Sequence, residues 1–215
     1  MSKLIQIQEA VTKIQSGMTV MVGGFLTVGG PNRLLEALLE TDVKDLTLIA
    51  NDTAYADKGM GKLITARKIK RVITSHIGTN VSTGEQYHAG ELEVEFSPQG
   101  TLIERIRCAG AGLGGVLTPT GLGTVVEEGK EVVEVDGKKY LLEKPLRADV
   151  ALIGASVADE DGNLFHRGTS RNFNTLMAMA ADVVIAEVEE VVKVGEILPE
   201  HVHTQSIFVN YMVKF

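Results

Sequence analysis

The hydrophobic pattern alternates between two kinds of segment. Residues 3–15 carry Leu4, Ile7, Val11 and Ile14 at helical spacing, which predicts an amphipathic helix. Thr19-Val20-Met21-Val22 reads as a buried strand, and Leu34, Leu35, Leu38 and Leu39 mark the apolar stripe of a following helix. Pro31 stands where that helix should begin. Residues 46–50, 71–75 and 92–96 predict three further strands, as do the short apolar runs 150–153 and 183–186. Thr101 and Glu104 have capping-box spacing, predicting a helix that starts just after Ser97-Pro98-Gln99-Gly100. Asp136-Gly137 between two alternating runs predicts a β-hairpin at 131–143. Unbroken apolar strands alternating with helices imply an α/β fold. Its sheet should be mostly parallel and covered by helices on both faces, with the hairpin as a small antiparallel insertion. No Pro/Ser-rich linker or internal repeat divides the chain, so residues 1–215 read as one domain.

Composition narrows the function. Twenty-eight acidic against 21 basic residues give a net charge of −7, which argues against nucleic acid and anionic lipid as partners. One cysteine excludes a disulfide framework, and no apolar run reaches the length of a membrane span. Without a signal-peptide core at the N-terminus, a cytoplasmic location is expected. His201 and His203 are two apart with no further metal ligands in sight, and Cys108 sits amid Ala and Gly as a small hydrophobe.

Glycine is enriched, at 23 of 215 residues, and clustered. Gly23, Gly24, Phe25, Leu26, Thr27, Val28 and Gly29 lie between a strand and a helix start. Such a loop can offer free backbone N–H groups and a helix N-terminus to an anion. It matches neither the dinucleotide fingerprint nor the P-loop, so from spacing alone it is either a structural turn or a nucleotide site.

The run Gly17-Met18-Thr19-Val20-Met21-Val22-Gly23-Gly24-Phe25-Leu26-Thr27-Val28-Gly29-Gly30-Pro31 resembles the signature of family I CoA-transferases, in the form carried by their A (alpha) subunits. Further blocks resemble the same family in order. They include Asn51-Asp52-Thr53, Ser97-Pro98-Gln99-Gly100-Thr101, Gly110-Ala111-Gly112-Leu113-Gly114-Gly115 and Arg171-Asn172-Phe173-Asn174. Ser16 and the His203-Thr204-Gln205-Ser206 stretch depart from the usual pattern.

The resemblance implies transfer of CoA from an acyl-CoA to a carboxylic acid through a glutamyl-CoA thioester. The glutamate belongs to a Glu-Asn-Gly type motif in the other subunit. Neither Glu85, Glu127-Glu128-Gly129 nor Asp161-Gly162-Asn163 fits that motif here. A beta (B) subunit, a heterotetramer or larger assembly, and inactivity of this chain alone are therefore expected. Acetate, butyrate and acetoacetate are the acids implied, with acyl-CoA as substrate and no tightly bound cofactor.

The resemblance also places the glycine loop on the CoA side and Gln99 at the substrate carboxylate and thioester oxygen. Asn51 is the second polar candidate. The Arg171–174 segment reads either as a site or interface contact or as a polar turn with Phe173 in the core. Two other readings remain: a sugar-phosphate isomerase with its own acid/base group, and a non-catalytic ligand-sensing domain.

Overall fold

Val20 and Val22 join one buried cluster and Met21 joins another, so strand β1 (Thr19–Val22) alternates between two covered faces. The computed structural model describes residues 2–215. After β1 come α2 (Asn32–Leu39), β2 (Leu46–Ile49), α3 (Gly61–Thr65), β3 (Ile69–Thr74), α4 (Val81–His88), β4 (Glu93–Phe96) and α5 (Gln99–Gly110). Helix α1 (Ile7–Val11) precedes them. A small sheet follows, of β5 (Val116–Thr118), β6 (Glu131–Val135) and β7 (Lys138–Glu143). The chain then returns through β8 (Ala148–Asp159), β9 (Leu164–Phe165), α6 (Asn174–Met177), β10 (Ala181–Val192) and β11 (Tyr211–Lys214).

The main sheet has the order β11-β10-β8-β1-β2-β3-β4, parallel throughout, with β9 added antiparallel to β8. Residues of α1, α2 and α3 pack on the face of Val20 and Val22, and α4 joins that layer through Gln86, whose amide donates to the Ile64 carbonyl. Leu102, Ile106 and Met177 of α5 and α6 pack on the face of Met21. The α/β architecture with both faces covered is the expected one. The hairpin is also present, with Asp136 and Gly137 both at positive φ as a two-residue turn requires. Strand β5 widens it to three strands.

Four local expectations change. The helix predicted over 3–15 is confined to Ile7–Val11, because Leu4 and Ile5 are held on the sheet edge: Ile5 N–H donates to Met212 and Met212 N–H to Lys3. Helix α5 starts at Gln99, earlier than the capping box implied. Pro98, at φ −50°, leads directly into the helix, Thr101 is buried in its first turn, and Glu104 pairs with Arg107 instead of capping. Pro31 stands just outside α2 rather than at its first helical position. Strands β8 and β10 are each 12 residues long and pair with one another well beyond the apolar runs that announced them.

The small sheet is tied to the main one by charge. Arg105 of α5 donates to Glu95 of β4 at 2.8 Å and to the Lys144 carbonyl at 2.9 Å. Its Nε lies 3.6 Å from Glu143, a carboxylate 1% exposed that also accepts from Lys130 at 2.6 Å. Arg71 of β3 binds the other oxygen of Glu95 at 2.7 Å. Burial by itself would raise the Glu95 pKa, but Arg105 and Arg71 outweigh it and hold the carboxyl below its ordinary value. Replacing Arg105 with alanine leaves Glu143 with a single cationic partner and Glu95 with Arg71 alone. Because both carboxylates keep one cation, Arg105→Ala is expected to cost about 1.5–3 kcal/mol, read from urea unfolding at neutral pH.

Candidate active site at the carboxyl edge of the sheet

From β1 the chain steps outward to β4 in one direction, and from β8 to β11 in the other. The order therefore reverses between β1 and β8, and a crevice opens at the carboxyl ends of strands at such a switch point. The glycine loop fills the β1 side of it. Gly23 N–H continues the ladder to the Leu152 carbonyl. Beyond that point the loop lies directly on β8: a methyl group on Gly154 would overlap the Gly29 carbonyl, and one on Gly23 would overlap the Asn174 side chain.

The loop is held from several sides. Phe25 and Val28 exchange backbone hydrogen bonds of 3.0 and 2.9 Å around Leu26-Thr27. Asn172 accepts from Gly24 N–H at 3.1 Å and donates to the Val28 carbonyl at 3.1 Å. Asn174 donates to the Gly29 carbonyl at 2.9 Å and accepts from Gly154 N–H at 3.1 Å. Asp52 accepts from Leu26 N–H at 2.8 Å. The expectation of free N–H groups along the whole loop is thus corrected. Those of Gly23, Gly24, Phe25, Leu26 and Val28 are consumed within the chain, while those of Thr27 and Gly29 have no protein acceptor among the described residues. The helix behind the loop differs from expectation in the same way. Its N-terminus is filled by Glu187, 3% exposed on β10, which accepts from Leu34 N–H at 2.7 Å. Burial raises the pKa of Glu187 despite the lowering effect of the Leu34 and Arg33 backbone.

Asn51, just past the end of β2, is 2% exposed. Its amide donates to Asp52 at 2.7 Å, and its side-chain oxygen lies 3.3 Å from the Ser75 hydroxyl. Gln99 is the first residue of α5 and is exposed. It stands past the end of β4, three strands from β1, or about 14 Å at ordinary strand spacing. The fold thus puts Gln99, Asn51 and the glycine loop on one edge, with Asn51 linked to the loop through Asp52 and Gln99 three strands from β1. Each of the two ends has its own cavity. One, of about 340 Å³, is lined by Thr27, Gly29, Gly30, Arg33, Ser156 and Ser170 among others. The second, of about 330 Å³, lies beside Pro98, Gly100, Thr101 and Leu117.

In the 171–174 segment Phe173 is in the core, as the polar-turn reading has it, and Asn172 and Asn174 brace the glycine loop within the chain. Of the later glycines, Gly110, Gly115 and Gly121 leave no room for a methyl group, whereas Gly112, Gly114 and Gly123 face open space. Sequence reasoning missed Glu187, although a lone acid inside the apolar run 183–188 was its signal. Asp52 lies in the Asn51-Asp52-Thr53 block of the resemblance, which gives no separate role to its carboxylate.

These features define an open α/β protein with a loop-built edge at a strand-order switch. A coenzyme A transferase family model matches residues 4–214, and the chain belongs to that family. It is 54% identical over 212 residues to "Acetate CoA-transferase subunit alpha" of Escherichia coli (strain K12), covering 99% of this chain and 96% of that protein. It is 50% identical over 213 residues to "Acetoacetyl-CoA:acetate/butyrate CoA transferase alpha subunit" of Clostridium acetobutylicum, covering 99% and 98%. Its fold matches the crystal structure of an acyl-CoA transferase from Escherichia coli O157:H7 with a TM-score of 0.91 at 22% identity. That match takes in all of this chain but only 47% of the other, so the chain spans about half its length. Among the described residues, no helix is long and apolar enough to cross a membrane.

Behind Gly154, the His166 ring is buried. Its Nε2 lies 3.3 Å from the Thr204 hydroxyl and its Nδ1 has no hydrogen-bond partner. The His203 ring stacks on it at 6.1 Å. Burial, then the charges of His203 and Arg171, lower the His166 pKa to about 4, a little offset by the Gly154 backbone. An unfolded histidine takes its proton near 6.5, so the unfolded chain binds more protons between these values. Stability is therefore expected to fall as pH drops from about 6.5 to about 4, by at most about 3 kcal/mol from this group. Urea midpoints across that range should show the slope, and His166→Gln should flatten it.

Proposed function

We propose that this chain is the alpha subunit of a cytoplasmic CoA-transferase. The enzyme moves CoA between a short-chain acyl-CoA and a carboxylic acid, with acetate, butyrate and acetoacetate as the leading acids. The reaction runs through a glutamyl-CoA thioester on a beta subunit, in a heterotetramer or larger assembly. The observation that carries the reading is chemical. Three acids stand at the glycine-loop end of the edge. Asp52 and Glu187 are 1% and 3% exposed and bonded to backbone N–H groups, and Glu189, on the lining of the same cavity as Glu187, is paired with Arg167 at 3.0 Å. None of the three is a free carboxylate disposed to attack a thioester. An attacking carboxylate supplied by another chain fits, as do the two relatives of half the sequence or more in common, both named as alpha subunits.

In this reading the partner's carboxylate adds to the thioester carbonyl, and the oxyanion that forms needs a donor. Gln99, exposed at the first turn of α5, offers a neutral amide, worth about 2.7–4 kcal/mol at other oxyanion sites. Gly23, Gly24, Phe25, Leu26, Thr27, Val28 and Gly29 form the wall on the CoA side, with the Thr27 and Gly29 N–H groups free to donate. Asn51 acts from beneath, through Asp52. A phosphate-binding isomerase is disfavoured by the Glu187 carboxylate, which already occupies the helix N-terminus behind the loop.

Purified alone, the chain is expected to transfer no CoA. Co-expressed with its partner and an acyl-CoA, it should yield a complex in which hydroxylamine or borohydride modifies the partner. Modification of this chain instead would overturn the reading. Gln99→Ala in the assembled enzyme is expected to lower kcat about 10²- to 10³-fold with assembly intact; unchanged turnover would remove Gln99 from the site.

A further inference from the structure

The glycine loop is not the only turn at this edge. Residues 55–58 form a second one beside it, closed by a hydrogen bond of 3.2 Å from Lys58 N–H to the Tyr55 carbonyl. The two turns are neighbours: a methyl group added at Gly59, just past the second turn, would lie 3.6 Å from the Thr27 side chain. Both present apolar tips to solvent, Phe25 and Val28 at 45% and 51% exposure and Tyr55 at 38%. Each also depends on a residue in an unusual conformation. Leu26 has φ +54° and Ala54 has φ +49°, and neither is glycine. Side-chain-bearing residues avoid this region unless something holds them there.

What holds both is one carboxylate. Asp52 Oδ2 accepts from Leu26 N–H at 2.8 Å and from the Asn51 amide at 2.7 Å. Asp52 Oδ1 accepts from Ala54 N–H at 2.8 Å. The group is 1% exposed, so all three bonds are shielded from water. The second turn is fixed from its far side as well: Thr79 donates to the Ala54 carbonyl at 2.8 Å and Asn80 to the Thr53 carbonyl at 2.8 Å. The first turn has no such anchor on α4, and its Leu26 N–H depends on Asp52.

We propose that Asp52 is a positioning residue for the CoA-side wall: its carboxylate locks the two left-handed residues Leu26 and Ala54 and so sets the tip of the glycine loop against the neighbouring turn. The proposal rests on the preceding reading for what the loop contacts. Asp52 touches no substrate itself. Its partner Asn51 orients it by donating to the oxygen that receives Leu26, which accounts for a buried amide at the end of β2.

The test uses the assembled enzyme with both chains. Asp52→Asn keeps the shape but turns one acceptor into a donor, facing either Leu26 N–H or Ala54 N–H. The KM for the acyl-CoA is expected to rise about tenfold. The KM for the acid acceptor, governed at Gln99 three strands away, should change less than about twofold. Amide exchange at Leu26 and Ala54 should accelerate by about tenfold or more. Adding Leu26→Gly to Asp52→Asn should recover part of the acyl-CoA KM, since glycine reaches that conformation without strain.

Unchanged kinetics in Asp52→Asn would overturn the proposal. So would equal shifts in both KM values together with a loss of overall stability, or no recovery from the added glycine. If the wild-type complex transfers no CoA, the functional reading fails. Exchange at Leu26 and Ala54 then still decides whether Asp52 holds the turns, and unaltered exchange in Asp52→Asn overturns that.

Discussion

No side chain fits where the glycine loop meets strand β8. Gly154 and Gly29 approach backbone to backbone, Gly23 is pressed against Asn174, and Gly29 has φ +71° with the Ser170 carbonyl beside it. This close approach at the strand-order switch sets the shape of the whole edge. It lets the loop follow β1 and fold back over β8, with Asn174 bonded to both and Asn172 to the loop. Those two amides each supply both a donor and an acceptor, which suits a loop that has carbonyl and N–H groups to satisfy together.

The acids of the site follow from the same geometry. A parallel sheet capped by loops accumulates unpaired N–H groups at its carboxyl edge and at helix starts, and buried N–H groups require acceptors. Glu187 meets those at the start of α2, and Asp52 those of two adjoining turns. Their carboxylates act as internal anions that organise backbone. The chain thereby builds a rigid wall, with donors left over at Thr27 and Gly29, and the two carboxylates on the cavity lining, Glu187 and Glu189, are engaged by a backbone N–H and by Arg167.

The edge is also divided in space. The glycine loop belongs to β1 and Gln99 to β4, with β2 and β3 between. A ligand that engages both must be extended, as the pantetheine arm and acyl group of an acyl-CoA are. The ion network of Arg105, Glu95, Arg71 and Glu143 stiffens the Gln99 end, since Arg105 also lies 3.3 Å from the Ser97 hydroxyl two residues before Gln99. The two ends are thus braced by different parts of the sequence.

The apolar runs by themselves determined the strands 19–22, 46–50 and 150–153 and the helix stripe at Leu34, Leu35 and Leu38, because burial on one or both faces imposes a period that needs no knowledge of partners. Asp136-Gly137 determined a hairpin for an equally local reason: two consecutive positive φ values. The glycine cluster announced a tight backbone approach without saying to what. Only the tertiary structure decided that five of the loop N–H groups are spent, that Asn51 faces inward, and that β8 and β10 run on for 12 residues. Phe25 and Val28 serve each other, but the N–H groups of Gly23, Gly24 and Leu26 reach partners beyond the loop, 148 residues away for Gly24 and Asn172, and Leu34 meets Glu187 across 153 residues. Hydrogen bonds are satisfied by whatever the fold brings near, and a local pattern of residues carries no record of that.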